Sequence, residues 1–168
     1  LIIDELDSQL TNAVQRQLLS DVPVSFFLSG GLDSSLIVAK AKKMLDYDID
    51  CFTITSDLNK IRKEGFSDDL YYARKVAKHL DVKLHEVDGS IDIINDFDKM
   101  IWHLDEPQAD IAPMHVMNIC KVARKNGFKV ILGGAGGDDL FSGYRRHSAL
   151  QIERIISYLP KTATNSLH

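Results

Sequence analysis

Two periods of apolar residues alternate along the chain, and their order predicts the fold. Apolar residues that recur every three or four positions indicate amphipathic helices, whereas short continuous apolar runs indicate buried strands. The helical period covers residues 1–20, 34–46, 68–80, 94–104 and 114–125, and the apolar runs cover residues 24–28, 50–56, 82–87 and 128–133. Because helices separate strands that are apolar throughout, we predict an α/β fold in which helices sandwich a parallel sheet.

The same pattern predicts a single domain over residues 1–168. A chain of 168 residues suffices for one hydrophobic core, and no internal repeat or low-complexity segment interrupts the pattern. Four strands make a thin sheet for this architecture, so we expect the chain to be a fragment of a longer protein. Loops between the helices and strands are predicted at residues 57–67 and 105–113.

Composition and charge narrow the function classes. The formal net charge of −4 and the apolar content of 45% are typical of soluble globular proteins, and the basic footprint of a nucleic-acid-binding domain is missing. No apolar run approaches the roughly 18 residues of a membrane span, and the acidic N-terminus lacks the basic region of a secretory signal. We therefore expect a cytoplasmic protein that binds neither nucleic acid nor a membrane.

The two cysteines and the tryptophan are interpreted as packing residues. Cys51 and Cys120 lie in apolar surroundings and lack the C-x-x-C spacing of metal or redox motifs, so both are predicted to be buried thiols. Trp102 lies within the helical pattern of residues 94–104 and is likewise predicted to pack against other side chains.

The stretch SGGLDSS, residues 29–35, lies between the first predicted strand and the helix that follows it. In an open parallel sheet, ligands bind beyond the carboxyl ends of the strands. Gly30 and Gly31 allow the backbone to turn its N–H groups inward, and the helix adds the positive end of its dipole. Hydroxyl donors come from Ser29, Ser34 and Ser35. The stretch therefore predicts a cradle for phosphate groups.

Asp33 brings a negative charge into this cradle and would repel a phosphate group. A Mg²⁺ ion between them removes the conflict, because Mg²⁺ prefers carboxylate and phosphate oxygens. We therefore predict that Asp33 is a Mg²⁺ ligand. The alternative is that Asp33 or Ser34 only caps the following helix. Neither a P-loop nor a dinucleotide fingerprint matches, since no lysine follows the glycines and G-x-G-x-x-G is absent.

Three motifs occur in order and are more specific together than any one alone. They are SGGLDSS at residues 29–35, DEPQAD at residues 105–110 and GGAGGDDLFSGY at residues 133–144. With these motifs, and with the helix and strand at residues 71–87, the chain resembles the synthetase domain of the glutamine-hydrolysing asparagine synthetase family. The resemblance spans roughly residues 1–150. It implies the adenine nucleotide alpha hydrolase-like fold of the ATP pyrophosphatase (PP-loop) superfamily.

The resemblance implies a ligase reaction in two steps. ATP adenylates a small-molecule carboxylate, which in this family is the side chain of aspartate, and pyrophosphate is released. Ammonia then attacks the acyl-adenylate to give an amide and AMP. The implied cofactors are ATP and Mg²⁺, and a glutaminase domain is expected in the full-length protein. The oligomeric state stays open, with a homodimer as one candidate.

The resemblance also implies a role for individual residues. The phosphates of ATP would be held by Ser29, Gly30, Gly31, Asp33, Ser34 and Ser35. The adenine pocket would be lined by Phe27 and Ile54, for which ordinary strand core is the alternative, and Gly133 and Gly134 would lie near the nucleotide. Mg²⁺ would be bound by Asp33 and Asp138, and the catalytic residues would be Asp33, Asp138 and Asp139. Helix capping is the alternative for Asp138 and Asp139.

Departures from the family pattern keep other functions open. Ala135 stands where the family usually has an acid, no glutaminase half is recognised, and a downstream lysine of the family has no match. A nucleotide-binding module that has lost catalysis is therefore one alternative. A PP-loop enzyme of sulfur transfer or tRNA modification is another, although it would need basic surface and usually additional cysteines. The carboxylate that is amidated is expected to be aspartate or a related acid.

Overall fold

A computed structural model describes residues 2–55, 69–108, 110–144, 147, 149 and 150. The predicted loop at residues 57–67 and the first residue of the predicted helix at 68–80 lie outside the described residues. The described chain divides into two compact units, residues 1–134 and residues 135–168, and each is considered by itself.

Helices and strands alternate as the apolar pattern predicts. In chain order, the first unit contains α1 (Ile2–Gln17), β1 (Val24–Phe27), α2 (Leu32–Lys42), β2 (Asp50–Thr55), α3 (Asp69–Leu80), β3 (Lys83–Asp88), α4 (Ile93–Leu104), α5 (Ala112–Lys125) and β4 (Val130–Leu132). The second unit contains the short helix α6 (Gly137–Phe141), which lies within the motif GGAGGDDLFSGY.

Two helix starts differ from the predicted ones by two residues. Helix α2 begins at Leu32 and not at Ser34, because Gly31 takes the extended N-cap conformation with φ −68° and ψ 163°. Helix α5 begins at Ala112 and carries Pro113 in its first turn. Proline is tolerated there because the first helical N–H groups have no intrahelical acceptor, so its missing N–H costs nothing.

The four strands form one parallel sheet in the order β3-β2-β1-β4. Strand β1 is central and pairs with β2 on one side, where Phe27 lies opposite Phe52, and with β4 on the other, where Phe26 lies opposite Leu132. The carboxyl ends of β1 and β4 therefore meet at the same edge of the sheet. Beyond both strands the chain leaves the sheet at this edge.

The side chains of β1 and β2 alternate between two cores, as the pleat of a strand requires. Phe26 and Cys51 belong to the larger core, which includes residues of α1, α2 and α3, and Phe52 belongs to the smaller core with Ile119 of α5. The larger core consists of Val14, Val24, Phe26, Leu28, Val38, Ala41, Ile49, Cys51, Ala73 and Ala77. Helices therefore cover both faces of the sheet.

Two packing predictions are wrong. Cys51 is fully buried as expected, but Cys120 lies on the exposed side of α5. Trp102 in α4 is 81% exposed, because the buried side of this helix is formed by Met100 and not by the tryptophan. A helical apolar pattern marks amphipathicity, but it does not say how much of the apolar stripe another element covers.

Helices α1 and α2 are joined by a buried ammonium group. Lys40 of α2 is 8% exposed, and its Nζ lies 2.7 Å from Oδ1 of Asp7 and 2.7 Å from Oγ1 of Thr11. The Asp7 side chain is 66% exposed, so the two partners differ strongly in how much solvent they retain.

We predict that Asp7→Ala lowers the free energy of unfolding by about 1–2 kcal/mol, because it leaves the buried ammonium without its carboxylate. Lys40→Met should cost less than about 1 kcal/mol, because methionine keeps most of the apolar stem of the lysine and Asp7 stays solvated. Urea unfolding followed by circular dichroism measures both. A larger loss for Lys40→Met than for Asp7→Ala would contradict this account of the pair.

The two thiols should differ in reactivity. Burial, aided by the charge of Asp50, raises the pKa of the Cys51 thiol to about 12, and partial desolvation also raises the pKa of the exposed Cys120 thiol. Ellman's reagent at pH 8 should therefore titrate one thiol in the native protein and both in urea.

The buried Cys51 thiol should also make the free energy of unfolding depend on pH. Because folding favours the neutral thiol, its contribution to stability is present below pH 9 and is lost as the pH rises from 9.0 towards about 12.

Candidate functional site

The SGGLDSS stretch forms a tight turn from the sheet edge into a helix. Leu28 is buried and its N–H still donates to the Phe52 carbonyl over 2.9 Å, so the chain leaves the sheet only at Ser29. Gly30 has φ +87°, a left-handed conformation that side chains other than glycine rarely adopt. Two residues later Leu32 begins α2. The backbone of this turn thus leads directly to the N-terminus of the helix.

Gly30 is also the point where the turn contacts α3. A Cβ atom on Gly30 would lie 2.5 Å from the amide nitrogen of Ala73 and 2.7 Å from the carbonyl oxygen of Asp69. Both atoms belong to the backbone of a helix, which cannot move aside cheaply. Glycine is therefore required here by its dihedral angle and by the available space. The sequence motif carried no signal for this contact with α3.

The three hydroxyl groups of the stretch bind each other and the Gly31 peptide. Oγ of Ser29 lies 3.0 Å from Oγ of Ser34 and accepts from the Gly31 N–H over 3.3 Å. The Gly31 carbonyl accepts from Oγ of Ser34 over 3.2 Å and from Oγ of Ser35 over 2.7 Å. The hydroxyls thus hold the turn in shape.

The capping alternative for this stretch is wrong. The N-cap of α2 is Gly31, and no side chain makes the capping hydrogen bond. Asp33 and Ser34 are instead inside the first helical turn, Ser34 buried and Asp33 half-buried. A carboxylate at this position interacts favourably with the helix dipole. The structure shows no hydrogen bond or ion pair from Asp33 to the residues it describes, so its oxygens remain available to a cation.

Gly133 and Gly134 follow β4 and reach the SGGLDSS turn. A Cβ atom on Gly134 would lie 2.9 Å from the amide nitrogen of Ser34 and 3.0 Å from Cβ of Asp33. A Cβ atom on Gly133 would lie 3.2 Å from Cδ2 of Phe27. The absence of a side chain at residue 134 therefore lets the backbone after β4 pack closely against the first turn of α2. The residues after β4 thus lie at the N-terminus of α2, and helical N–H groups at such an end can bind a phosphate oxygen.

Phe27 and Ile54 are both half-buried and pack against the smaller core. Strand core and adenine pocket are therefore compatible roles for them. The structure brings Phe27 to Gly133 and so to the same edge as the turn, while Ile54 lies near the carboxyl end of the neighbouring strand β2. That Phe27 and Ile54 line the adenine pocket therefore stays a prediction.

Asp138 and Asp139 lie in the first turn of α6, in the second unit, and both are exposed. The N-cap is Gly136, with φ +94°, so neither aspartate caps the helix. The carboxylate of Asp138 is folded against Gly143, where a side chain would collide with it. The pairing of Asp33 with Asp138 around Mg²⁺ stays a prediction. Among the described residues, no group of three or more His, Cys, Asp or Glu could hold a metal ion.

A large apolar cavity, which the sequence did not reveal, includes Gln108 and Asp110 of the DEPQAD motif in its lining. It has a volume of about 760 Å³ and lies between α4 and α5, where Met100, Leu104, Val116 and Met117 line it together with Arg124. The only sequence signal was the strong amphipathic pattern of α4. In the described ranges, no helix is both long and apolar enough to span a membrane.

Comparison with known proteins decides the family. The family model described as asparagine synthase matches residues 5–167. This chain belongs to the asparagine synthase family. Among curated asparagine synthases, a glutamine-hydrolyzing asparagine synthetase of Bacillus subtilis is 33% identical over 165 residues, which are 95% of this chain and 25% of that protein. A putative asparagine synthetase of Methanocaldococcus jannaschii is 34% identical over 95% of this chain and 30% of its own length.

Two further comparisons extend this result. The amidase chyE of Penicillium rubens is 27% identical over 85% of the chain and 23% of its own length. The NH3-dependent NAD synthetase of Campylobacter jejuni, a solved structure, is 15% identical and superposes with a TM-score of 0.51 over 84% of this chain and 60% of that one. The predicted PP-loop fold is thereby confirmed. The asparagine synthase domain described here spans about a quarter of the first curated relatives.

The geometry of the turn predicts unequal costs for two glycine substitutions. Gly30→Ala should lower the free energy of unfolding by about 2–4 kcal/mol, from dihedral strain plus collision with α3. Gly127, with φ +90° and no atom within 4 Å of the place where its Cβ would lie, is the matched control. Gly127→Ala should cost only the dihedral strain, about 1 kcal/mol. Equal losses in urea unfolding would show that the contact with α3 does not constrain residue 30.

Proposed function

We propose that this asparagine synthase domain activates a carboxylate with ATP for amidation by ammonia. The observation that carries the proposal is the turn at residues 29–35. At the carboxyl edge of the sheet, it presents the N-terminal N–H groups of α2 next to Gly134. Membership of the asparagine synthase family supports the same reaction class. The arrangement suits a pyrophosphate leaving group, whose growing negative charge main-chain amides can stabilise.

The proposed reaction has two balanced steps. A carboxylate oxygen of the acceptor attacks the α-phosphorus of ATP, the bond from this phosphorus to the bridging oxygen breaks, and pyrophosphate leaves with the electron pair. Ammonia then attacks the activated carbonyl carbon, AMP leaves, and the nitrogen loses a proton. Mg²⁺, when bound, would neutralise charge on the phosphates. Asp33, with Asp138, would hold it, and Asp139 is the further candidate for the chemistry.

The substrates belong to the proposal. The acceptor is aspartate or a related acid, and the ammonia would come from glutamine through a glutaminase domain of the full-length protein. Relatives named as glutamine-hydrolyzing asparagine synthetases support both. A cytoplasmic location completes the proposal, and the oligomeric state stays open, with a homodimer as one candidate.

A second candidate function rests on Ala135. Its methyl group can neither ionise nor accept a hydrogen bond, so it cannot supply what the acid usual at this position of the family would supply. This favours a nucleotide-binding module that no longer turns over. Such a module would keep the phosphate cradle and would lack the acceptor chemistry.

We expect the protein to form AMP and pyrophosphate in equal amounts when incubated with ATP, Mg²⁺, ammonia and aspartate. Asp33→Asn should lower pyrophosphate release about 100-fold or more, because it removes the carboxylate charge from the metal site. Asp98→Asn, which changes an exposed aspartate of α4, is the matched control and should retain activity. Circular dichroism checks that both variants fold.

Any other result of this assay would contradict part of the proposal. Release of ADP would exclude adenylation of the acceptor. ATP binding without turnover on aspartate or other candidate acids would support the non-catalytic module. Full activity of Asp33→Asn would remove Asp33 from the metal site.

A further inference from the structure

The apolar cavity between α4 and α5 forms an elongated groove. Its volume of about 760 Å³ falls in the range of small-molecule sites. From Ala112 to Arg124 the helix α5 rises about 18 Å, so a ligand that lies along it would be long and narrow. The residues of α5 that line the groove recur at spacings of three and four and so share one stripe of the helix: Pro113, Val116, Met117, Cys120, Lys121 and Arg124.

The middle of the groove is lined by aliphatic and thioether side chains. Met100 and Leu104 contribute to the lining from α4, and Val116 and Met117 contribute from α5. Met100 is 2% exposed and Val116 is 46% exposed, so the groove has a buried floor and an open side. Methionine side chains adapt to the shape of a ligand, and covering apolar surface of this kind is favourable. This part of the groove therefore suits an apolar ligand body.

The end of the groove at the C-terminus of α5 carries positive charge. Arg124 lines this end, and a second cavity of about 240 Å³ that shares Arg124 adds Lys129 to its surroundings. Neither residue forms an ion pair with the part of the chain that the structure describes. Lys121 lies 3.2 Å from a carboxylate oxygen of Asp96 and is already paired. In a protein whose formal net charge is −4, this local excess of cations favours an anionic ligand group.

The helix dipole acts against an anion at this end, because the last carbonyls of a helix carry partial negative charge. In α5 these carbonyls are already hydrogen-bonded, since residues 122–124 accept from the backbone N–H groups of residues 126–128. The Arg124 guanidinium carries a full positive charge and binds a carboxylate through two parallel hydrogen bonds. The attraction of this guanidinium therefore outweighs the partial charge of the capped helix end.

The opposite end of the groove disfavours a second negative charge. Asp110 lines the groove and lies at the N-terminus of α5, where its Oδ1 accepts from the Ala112 N–H over 2.9 Å. A ligand carboxylate at this end would meet the like charge of Asp110 beside apolar surface, and that repulsion opposes binding. The groove therefore selects a ligand with one carboxylate, at the Arg124 end.

We propose that the groove between α4 and α5 binds an aliphatic monocarboxylate. The carboxylate pairs with Arg124, and the hydrocarbon chain lies along Val116 and Met117 towards Pro113. The residues that line the groove do not include the turn at residues 29–35. The inference therefore goes beyond the proposed function and does not depend on it.

Decanoate is the probe, and its binding to the whole chain is measured by calorimetry. Arg124→Gln should weaken binding about tenfold, as expected for the loss of hydrogen bonds to a charged group. Lys125→Gln removes the same charge from the adjacent exposed residue, which does not line the groove, and should change binding by less than about twofold. Circular dichroism checks that both variants fold. Equal binding by the two variants would overturn the inference.

Two analogues of the probe test the two ends of the groove. Decan-1-ol has no charge and should bind the unsubstituted chain about tenfold more weakly than decanoate, with no further loss in Arg124→Gln. Decanedioate should also bind about tenfold more weakly than decanoate, because its second carboxylate must leave water near Asp110. Binding of decan-1-ol as tight as that of decanoate would mean that the groove recognises no carboxylate, and would overturn the inference.

Methionine methyl resonances locate the bound ligand. Decanoate should shift the methyl resonances of Met100 and Met117, whereas that of Met44, which follows α2 and does not line the groove, should stay in place. The inference fails if decanoate does not bind, or if it binds without shifting Met100 and Met117. It also fails if the chain dimerises in sedimentation and dimerisation shifts these two resonances, because a second copy would then occupy the groove.

Discussion

The central position of β1 is the constraint on which the rest of the structure depends. Its parallel pairing with β2 on one side and β4 on the other places three carboxyl ends at one edge of the sheet. The turn at residues 29–35 leaves β1 at this edge, and Gly133 and Gly134 leave β4 beside it. If β4 paired elsewhere, Gly134 would not approach the Ser34 amide. The candidate site is thus a consequence of strand order.

Close backbone approach gives this edge its shape. Gly30 admits the first turn of α3, and Gly134 admits the first turn of α2, each at distances that a Cβ atom would not allow. The serine hydroxyls then hold the Gly31 peptide in one direction. Main-chain amides are thereby set in place before a ligand arrives, and preorganised donors of this kind lose little entropy on binding.

The two faces of the sheet are covered unequally. On the larger core, α1, α2 and α3 enclose ten buried side chains, and the Lys40 ammonium joins two of these helices. On the other face, α5 and α4 leave an apolar cavity open and Trp102 exposed. The asparagine synthase relatives are about four times as long as this chain, and the larger part of their length has no counterpart in it.

The sequence by itself determined the order of helices and strands and the parallel sheet, and it predicted a phosphate cradle at residues 29–35. Those features depend on local periodicity, on glycine dihedrals and on apolar runs, which neighbouring residues encode. Tertiary structure alone decided that Gly31 caps α2, that the serines bind a carbonyl, that Cys120 and Trp102 are exposed, and that Gly134 approaches Ser34. These features depend on which distant segments meet, and a strand pattern does not carry that information because any apolar strand could have paired with β1.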